Sequence, residues 1–203
     1  MSVDVAVIDS GGANLASIGF ALDRLGAKAV VTTDHAVIRS APRVLLPGVG
    51  AAEDAMQRLS DAGLVSLIPE LTQPVLGVCL GMQLLFSASE ESSSGALTQC
   101  LGILPGTVAR LPGSPATPVP HMGWNRSDRR VDDPLFQDIG PEQYFYFVHS
   151  FAAPVVDSTI AATHYGTDFT AAVRWRNFRG VQFHPERSAA AGSRLLANFL
   201  RLH

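Results

Sequence analysis

The chain has 203 residues, 47% of them apolar and 16% charged, and a net charge of −3. That balance supports a single domain over residues 1–203 with a complete hydrophobic core, and gives no electrostatic case for nucleic acid or an anionic membrane as partner. The opening Met1-Ser-Val-Asp-Val5 lacks the charged and then apolar pattern of an export signal, and Cys79 and Cys100 show neither zinc nor disulfide spacing, so a soluble cytoplasmic protein in a reducing compartment is expected.

Taken in order, Val3 to Ile8 predicts a strand, followed by a loop through Gly11 and Gly12 and an amphipathic helix marked by Leu15, Ile18, Leu22 and Leu25, with Asn14 as its cap. The glycine pair lacks the spacing of a dinucleotide fingerprint, and no acidic residue ends the second strand, so no cofactor is expected. Ala29 to Thr33 and Arg43 to Gly48 read as strands two and three, and a helix through Ala55, Met56 and Leu59 follows. Strands alternating with helices imply an α/β fold, a mostly parallel central sheet with helices on both faces, whose ligands bind at the carboxyl edge of the strands.

Strand four, Val75 to Val78, runs into Gly77-Val-Cys79-Leu-Gly81, after which Leu80, Leu84 and Leu85 share one helical face. A strand–turn–helix corner with glycine on both sides lifts a thiol above the sheet edge. The helix start favours a thiolate there, and the Leu80 N–H points at any oxyanion that forms. The competing reading is that Cys79 is only a small buried hydrophobe. Beyond it, Ser89 to Gly95 and the proline-rich Leu111 to Pro120 read as surface loops. Tyr144 to Phe151, Thr159 to His164, Thr170 to Trp175 and Gly180 to Phe183 are β-prone runs that imply an antiparallel β extension of the sheet in the C-terminal half, before a last helix from Ser188.

Gln182-Phe-His184-Pro-Glu186 supplies what a thiol nucleophile needs. In an extended chain residues i and i+2 face the same way, so Glu186 can orient His184, and His184 can take the thiol proton and return it to a leaving nitrogen. Alone, His-Pro-Glu could equally be a surface turn.

At these residues the chain resembles the triad-type glutamine amidotransferases, on Pro47-Gly-Val-Gly50, Gly77-Val-Cys79-Leu-Gly-Met-Gln83 and Gln182-Phe-His184-Pro-Glu186. Val119-Pro-His-Met-Gly-Trp-Asn125 and Tyr144-Phe-Tyr-Phe-Val-His-Ser150 are similar to the glutaminase subunits of imidazole glycerol phosphate synthase, a family of histidine biosynthesis. The resemblance runs from Asp9 to the last helix. It implies Cys79 as nucleophile, His184 as base and acid, Glu186 as orienting carboxylate, and Leu80 and Val49 as oxyanion donors. It further implies Gly48, Gly50, Gln83, Ser150 and Phe151 around the glutamine. Asn14, Trp124 and Tyr146 would lie toward the partner, a cyclase subunit with a (β/α)8 barrel that receives the ammonia. Core packing for Phe151, Trp124 and Tyr146, a turn for Ser150 and a solvated helix position for Gln83 are the alternatives.

Two departures from the family pattern stand out: Ala52 where many members carry an aromatic, and Ser10 where they carry tyrosine. His121 and His149 read as structural or positioning residues, and no metal is expected. Rival readings are another triad amidotransferase subunit, a free-standing cysteine hydrolase, and an idle scaffold of the same fold.

Overall fold

In the computed structural model, which describes residues 3–11 and 15–203, the first half of the chain alternates strand and helix. The elements are β1 (Val5–Ile8), α1 (Leu15–Arg24), β2 (Ala29–Thr32), α2 (His35–Ser40), β3 (Val44–Gly48), α3 (Ala52–Asp61), α4 (Leu64–Leu67), β4 (Val75–Cys79) and α5 (Leu80–Gln83). The short α2, absent from the expected elements, begins at Asp34, whose carboxylate accepts from the amides of Ala36 and Val37 and satisfies two donors that a helix start leaves open. Asn14, expected as a helix cap and partner residue, lies outside the described residues.

The second half is mostly strand: β5 (Ala88–Ser89), β6 (Thr98–Gln99), β7 (Thr107–Arg110), β8 (His121–Arg126), β9 (Asp128–Arg129), β10 (Tyr144–His149), β11 (Phe151–Ala152), β12 (Thr159–His164), β13 (Asp168–Trp175) and β14 (Phe178–Val181), closed by α6 (Ala189–Phe199). The main sheet has the order β2-β1-β3-β4-β14-β13-β12-β9. Its neighbours are parallel from β2 to β14 and antiparallel from β14 to β9. The expected parallel sheet with an antiparallel extension is therefore present.

Side chains of this sheet alternate between two cores, as the period of two in a strand requires. Val5, Val7, Leu45 and Leu76 join Ile18, Leu22, Leu195 and Phe199 on the face covered by α1 and α6. Ala6, Ile8, Val44 and Leu46 join Ile38, Leu59, Leu67 and Leu85 on the other. Burying each such leucine or isoleucine contributes about 1.5–3 kcal/mol. No helix among the described residues is long and apolar enough to cross a membrane.

Three expectations need correction. The helix after Cys79 is a single turn, because the carbonyls of Leu84, Leu85 and Phe86, which a longer helix would use, accept instead from the amides of Leu101, Leu104 and Gly102. β10 does not extend the main sheet; it pairs with β8 over six residues as a separate antiparallel ribbon, with Tyr146 opposite Trp124 and His149 opposite His121. The last strand stops at Val181, so His184 and Glu186 lie beyond it, Glu186 within a 3-10 turn, Pro185–Arg187.

Candidate active site

The register of the parallel strands fixes the site. Gly48 at the end of β3 lies beside Cys79 at the end of β4, and Val181 of β14 lies beside Val78. Three carboxyl ends therefore converge on one edge. Cys79 sits at φ 55° and ψ −114°, a left-handed corner that costs a non-glycine residue about 1–3 kcal/mol and persists only where its surroundings impose it. The surroundings here are backbone: a Cβ on Gly81 would fall 1.8 Å from the Leu46 carbonyl oxygen, and one on Gly77 would fall 2.7 Å from that of Gly81. The two glycines let the turn fold flat against β3, which is how the buried thiol comes to border a cavity at that edge.

Across the site, His184 Nδ1–H donates to Glu186 Oε1 at 2.8 Å. The pairing expected between these residues is formed, although by the 3-10 turn and not by an extended strand. The turn is latched to the ribbon. The His184 amide donates to the Tyr146 carbonyl at 2.8 Å, the Ser188 hydroxyl donates to the His184 carbonyl at 2.6 Å, and the Tyr146 amide donates to that hydroxyl oxygen at 2.9 Å. Burial alone would push the His184 ring down; its hydrogen bonds to Cys79 and Glu186, with the charges of both, outweigh burial and raise it to about 10. The ring therefore holds a proton at neutral pH and faces the sulfur as a cation, a stronger partner for a thiolate than one helical turn.

Between these elements lies a cavity of about 390 Å³ lined by Val49, Gly50, Cys79, Leu80, Gln83, Glu91, Val148, His149, Ser150, Phe151, His184 and Arg187, a size suited to one small ligand. Of the residues expected here Gly48 and Glu186 are set back: Glu186 stands behind His184, and Gly48 lies at the end of β3. Gly48 is buried behind the wall, where a Cβ would meet the Gly81 amide nitrogen at 2.8 Å. Gln83 spends its amide N–H groups on the Phe151 carbonyl at 2.8 Å and Gln182 Oε1 at 2.9 Å, leaving its own oxygen as the acceptor it can offer a ligand. Gln182 Nε2 in turn lies 3.7 Å from Cys79 Sγ.

Glu91 was not among the expected residues. It belongs to the polar stretch read as a surface loop, yet it is half-buried on the cavity wall, and desolvation raises its carboxyl above the ordinary value while a hydrogen bond from the Ala52 amide partly offsets this. The Ala52 amide reaches Glu91 Oε2 at 3.1 Å, and its fully buried side chain sits where the family pattern carries an aromatic. The other departure, Ser10, is buried and donates to the Pro47 carbonyl at 2.7 Å, tying the loop after β1 to the end of β3. A charge in a serine- and glutamate-rich loop carries no periodic signal that sequence alone could have used.

Trp124 and Tyr146 meet edge to face, 5.9 Å between centroids, on the outer face of the ribbon. Trp124, Met122 and Tyr144 there are all more than half exposed, so the core alternative fails for Trp124.

The glutamine amidotransferase class-I family matches residues 6–202. Imidazole glycerol phosphate synthase subunit HisH of Vibrio cholerae is 48% identical over 204 residues, covering 100% of both chains. The protein of the same name from Shewanella oneidensis is 50% identical over 212 residues, covering 98% of this chain and 96% of its own. Among solved structures, that of PurLQS from Thermotoga maritima superposes with a TM-score of 0.72 at 16% identity, covering 98% of each chain, which is a likeness of fold. With full-length identity at this level added to the family match, the chain belongs to the class-I glutamine amidotransferases, within their imidazole glycerol phosphate synthase HisH branch.

Proposed function

We propose that the chain hydrolyses the side-chain amide of glutamine and hands the ammonia to a cyclase subunit built as a (β/α)8 barrel, which uses it to make imidazole glycerol phosphate and an aminoimidazole carboxamide ribonucleotide. The observation that carries this reading is Cys79 at a glycine-flanked left-handed corner, hydrogen-bonded to a buried His184 that Cys79 and Glu186 together hold well above the ordinary histidine value.

The Cys79 thiolate attacks the carboxamide carbon, and the oxyanion is received by the Leu80 and Val49 N–H groups. His184 gives its proton to the nitrogen as the C–N bond breaks, releasing ammonia and leaving a thioester. It then takes a proton from water, whose hydroxide attacks the thioester carbon; the C–S bond breaks and glutamate leaves with the thiolate restored. Glu91 and the Gln83 oxygen suit the α-ammonium of the substrate, and Gly50, Ser150, Phe151 and Arg187 border the remainder of a zwitterion. The exposed Trp124–Tyr146 face is where the cyclase docks.

Glutamate release should be measured for the chain alone, and with cyclase and its nucleotide ligand, with Cys79→Ala as blank. Turnover that requires partner and ligand and disappears in the variant supports the reading. Full turnover by the chain alone would remove the coupling, and release by Cys79→Ala would remove the nucleophile.

A further inference from the structure

His121 and His149 take no part in the chemistry above, yet both are buried and both touch the glutamine pocket or its supports. His149 lines the cavity. Its Nδ1 lies 2.8 Å from the Phe151 carbonyl oxygen and its Nε2 lies 3.0 Å from His121 Nδ1. His121 Nε2 lies 3.4 Å from Asn125 Nδ2.

These contacts permit one direction of donation. A carbonyl oxygen only accepts, so His149 carries its proton on Nδ1, and a neutral ring then accepts at Nε2. His121 must therefore donate from Nδ1 and accept at Nε2, where the Asn125 amide donates. The Asn125 amide is itself set, because its oxygen accepts from the Arg126 amide at 2.8 Å and its nitrogen also donates to the His164 carbonyl at 3.2 Å.

The rings cannot turn to escape this arrangement. His121 is stacked between Phe147 and Tyr165, at 4.9 and 4.0 Å between centroids, and Phe169 closes edge-on against both histidines. At the far end, the Phe151 carbonyl that His149 holds is the one from which Gln83 hangs.

We infer that His121 and His149 are positioning residues for glutamine: a one-way relay of neutral rings that clamps the Phe151 carbonyl and thereby fixes the Gln83 amide with its oxygen toward the substrate. Burial, aided for His149 by the charges of His121 and His184, keeps the rings well below the ordinary histidine value, at about 4 and about 3. The titratable groups facing them are each other, His184 and Tyr165, whose hydroxyl is committed to the Pro118 carbonyl; His164 nearby is paired with Asp168. The proposal rests on the glutaminase reading for its kinetic arm and on nothing but the fold for its spectroscopic arm.

The test is His121→Phe, which keeps an aromatic in the stack but removes the donor to His149, beside His121→Asn, whose amide nitrogen can replace that donor. In the complex with cyclase and ligand, His121→Phe should raise KM for glutamine about tenfold and change kcat less than about threefold, and His121→Asn should recover most of the loss. Nitrogen-15 spectra of histidine-labelled wild-type chain should show both rings as neutral Nδ1–H tautomers down to pH 5, with the His149 signal displaced in His121→Phe. An Nε2–H tautomer on His149, titration of either ring near 6.5, an unchanged KM in His121→Phe, or a loss in kcat and thermal stability that His121→Asn does not recover, would each overturn it. A wild-type complex that releases no glutamate would sink the glutaminase reading, while the spectra would still judge the relay.

Discussion

Two buried histidines, His184 and His149, line one cavity and have opposite character. On the 3-10 turn His184 faces a carboxylate and a sulfur and is raised to about 10; on the ribbon His149 faces another imidazole and a carbonyl and is lowered to about 3. Burial pulls both rings toward neutrality, so the partner decides: an anion reverses the effect of burial and a dipole does not. The same side chain thus serves as a held proton in one place and as a fixed hydrogen-bond conduit in the other.

The most severe way to break this contrast is Glu186→Gln. It keeps the shape of the turn but removes one of the two partners that raise His184, so the ring falls from about 10 toward the ordinary histidine range, with the Cys79 contact left to oppose burial. Glutamate release should drop about 10³–10⁴-fold, and the His184 nitrogen signals should titrate at a lower pH than in the wild type. Acid gives the next largest effect. Because His121 and His149 bind protons more weakly when folded, the unfolded chain takes up more protons between about pH 6.5 and 4, so stability falls as pH drops through that window. His184 offsets only a small part of this fall, since its contribution is nearly complete below about pH 6.5 and is lost as pH rises from there toward 10. Unfolding curves should show a Tm lower by roughly 5–10 °C at pH 5 than at pH 7, with a flatter slope in His121→Phe. The smallest effect on the chain itself belongs to Trp124→Ala on the outer face of the ribbon, whose stability in urea should stay within about 0.5 kcal/mol of wild type while stimulation by the cyclase declines.

The parallel core was legible because β1, β3 and β4 are short apolar runs followed by a helical period, and because Gly77, Cys79 and Gly81 are spaced as only a tight corner requires. The pairing of His184 with Glu186 was legible too, although their spacing allowed two geometries and the turn was the one adopted. What stayed hidden was decided at long range. The helix after Cys79 ends early because residues 101–104 claim its carbonyls, which no local propensity reveals. β8 was obscured by the prolines before it and by Gly123, which sits at φ 135°, and without β8 there was no reason to detach β10 from the sheet. Glu91 looked like one acid among the serines of a solvated loop until the loop folded back over the start of α3.

The amide and carbonyl of Tyr146 bracket the catalytic turn, one bonded to Ser188 and the other to His184, while its ring lies against Trp124 on the outside. Under the proposed function one residue is therefore hinge pin to the base and paving stone of the docking face. The two cannot drift apart in descent: a sequence that remodels residues 121–149 for a new partner must carry along a matching 184–188 turn, and a graft of the ribbon alone from another amidotransferase would arrive with the base out of line.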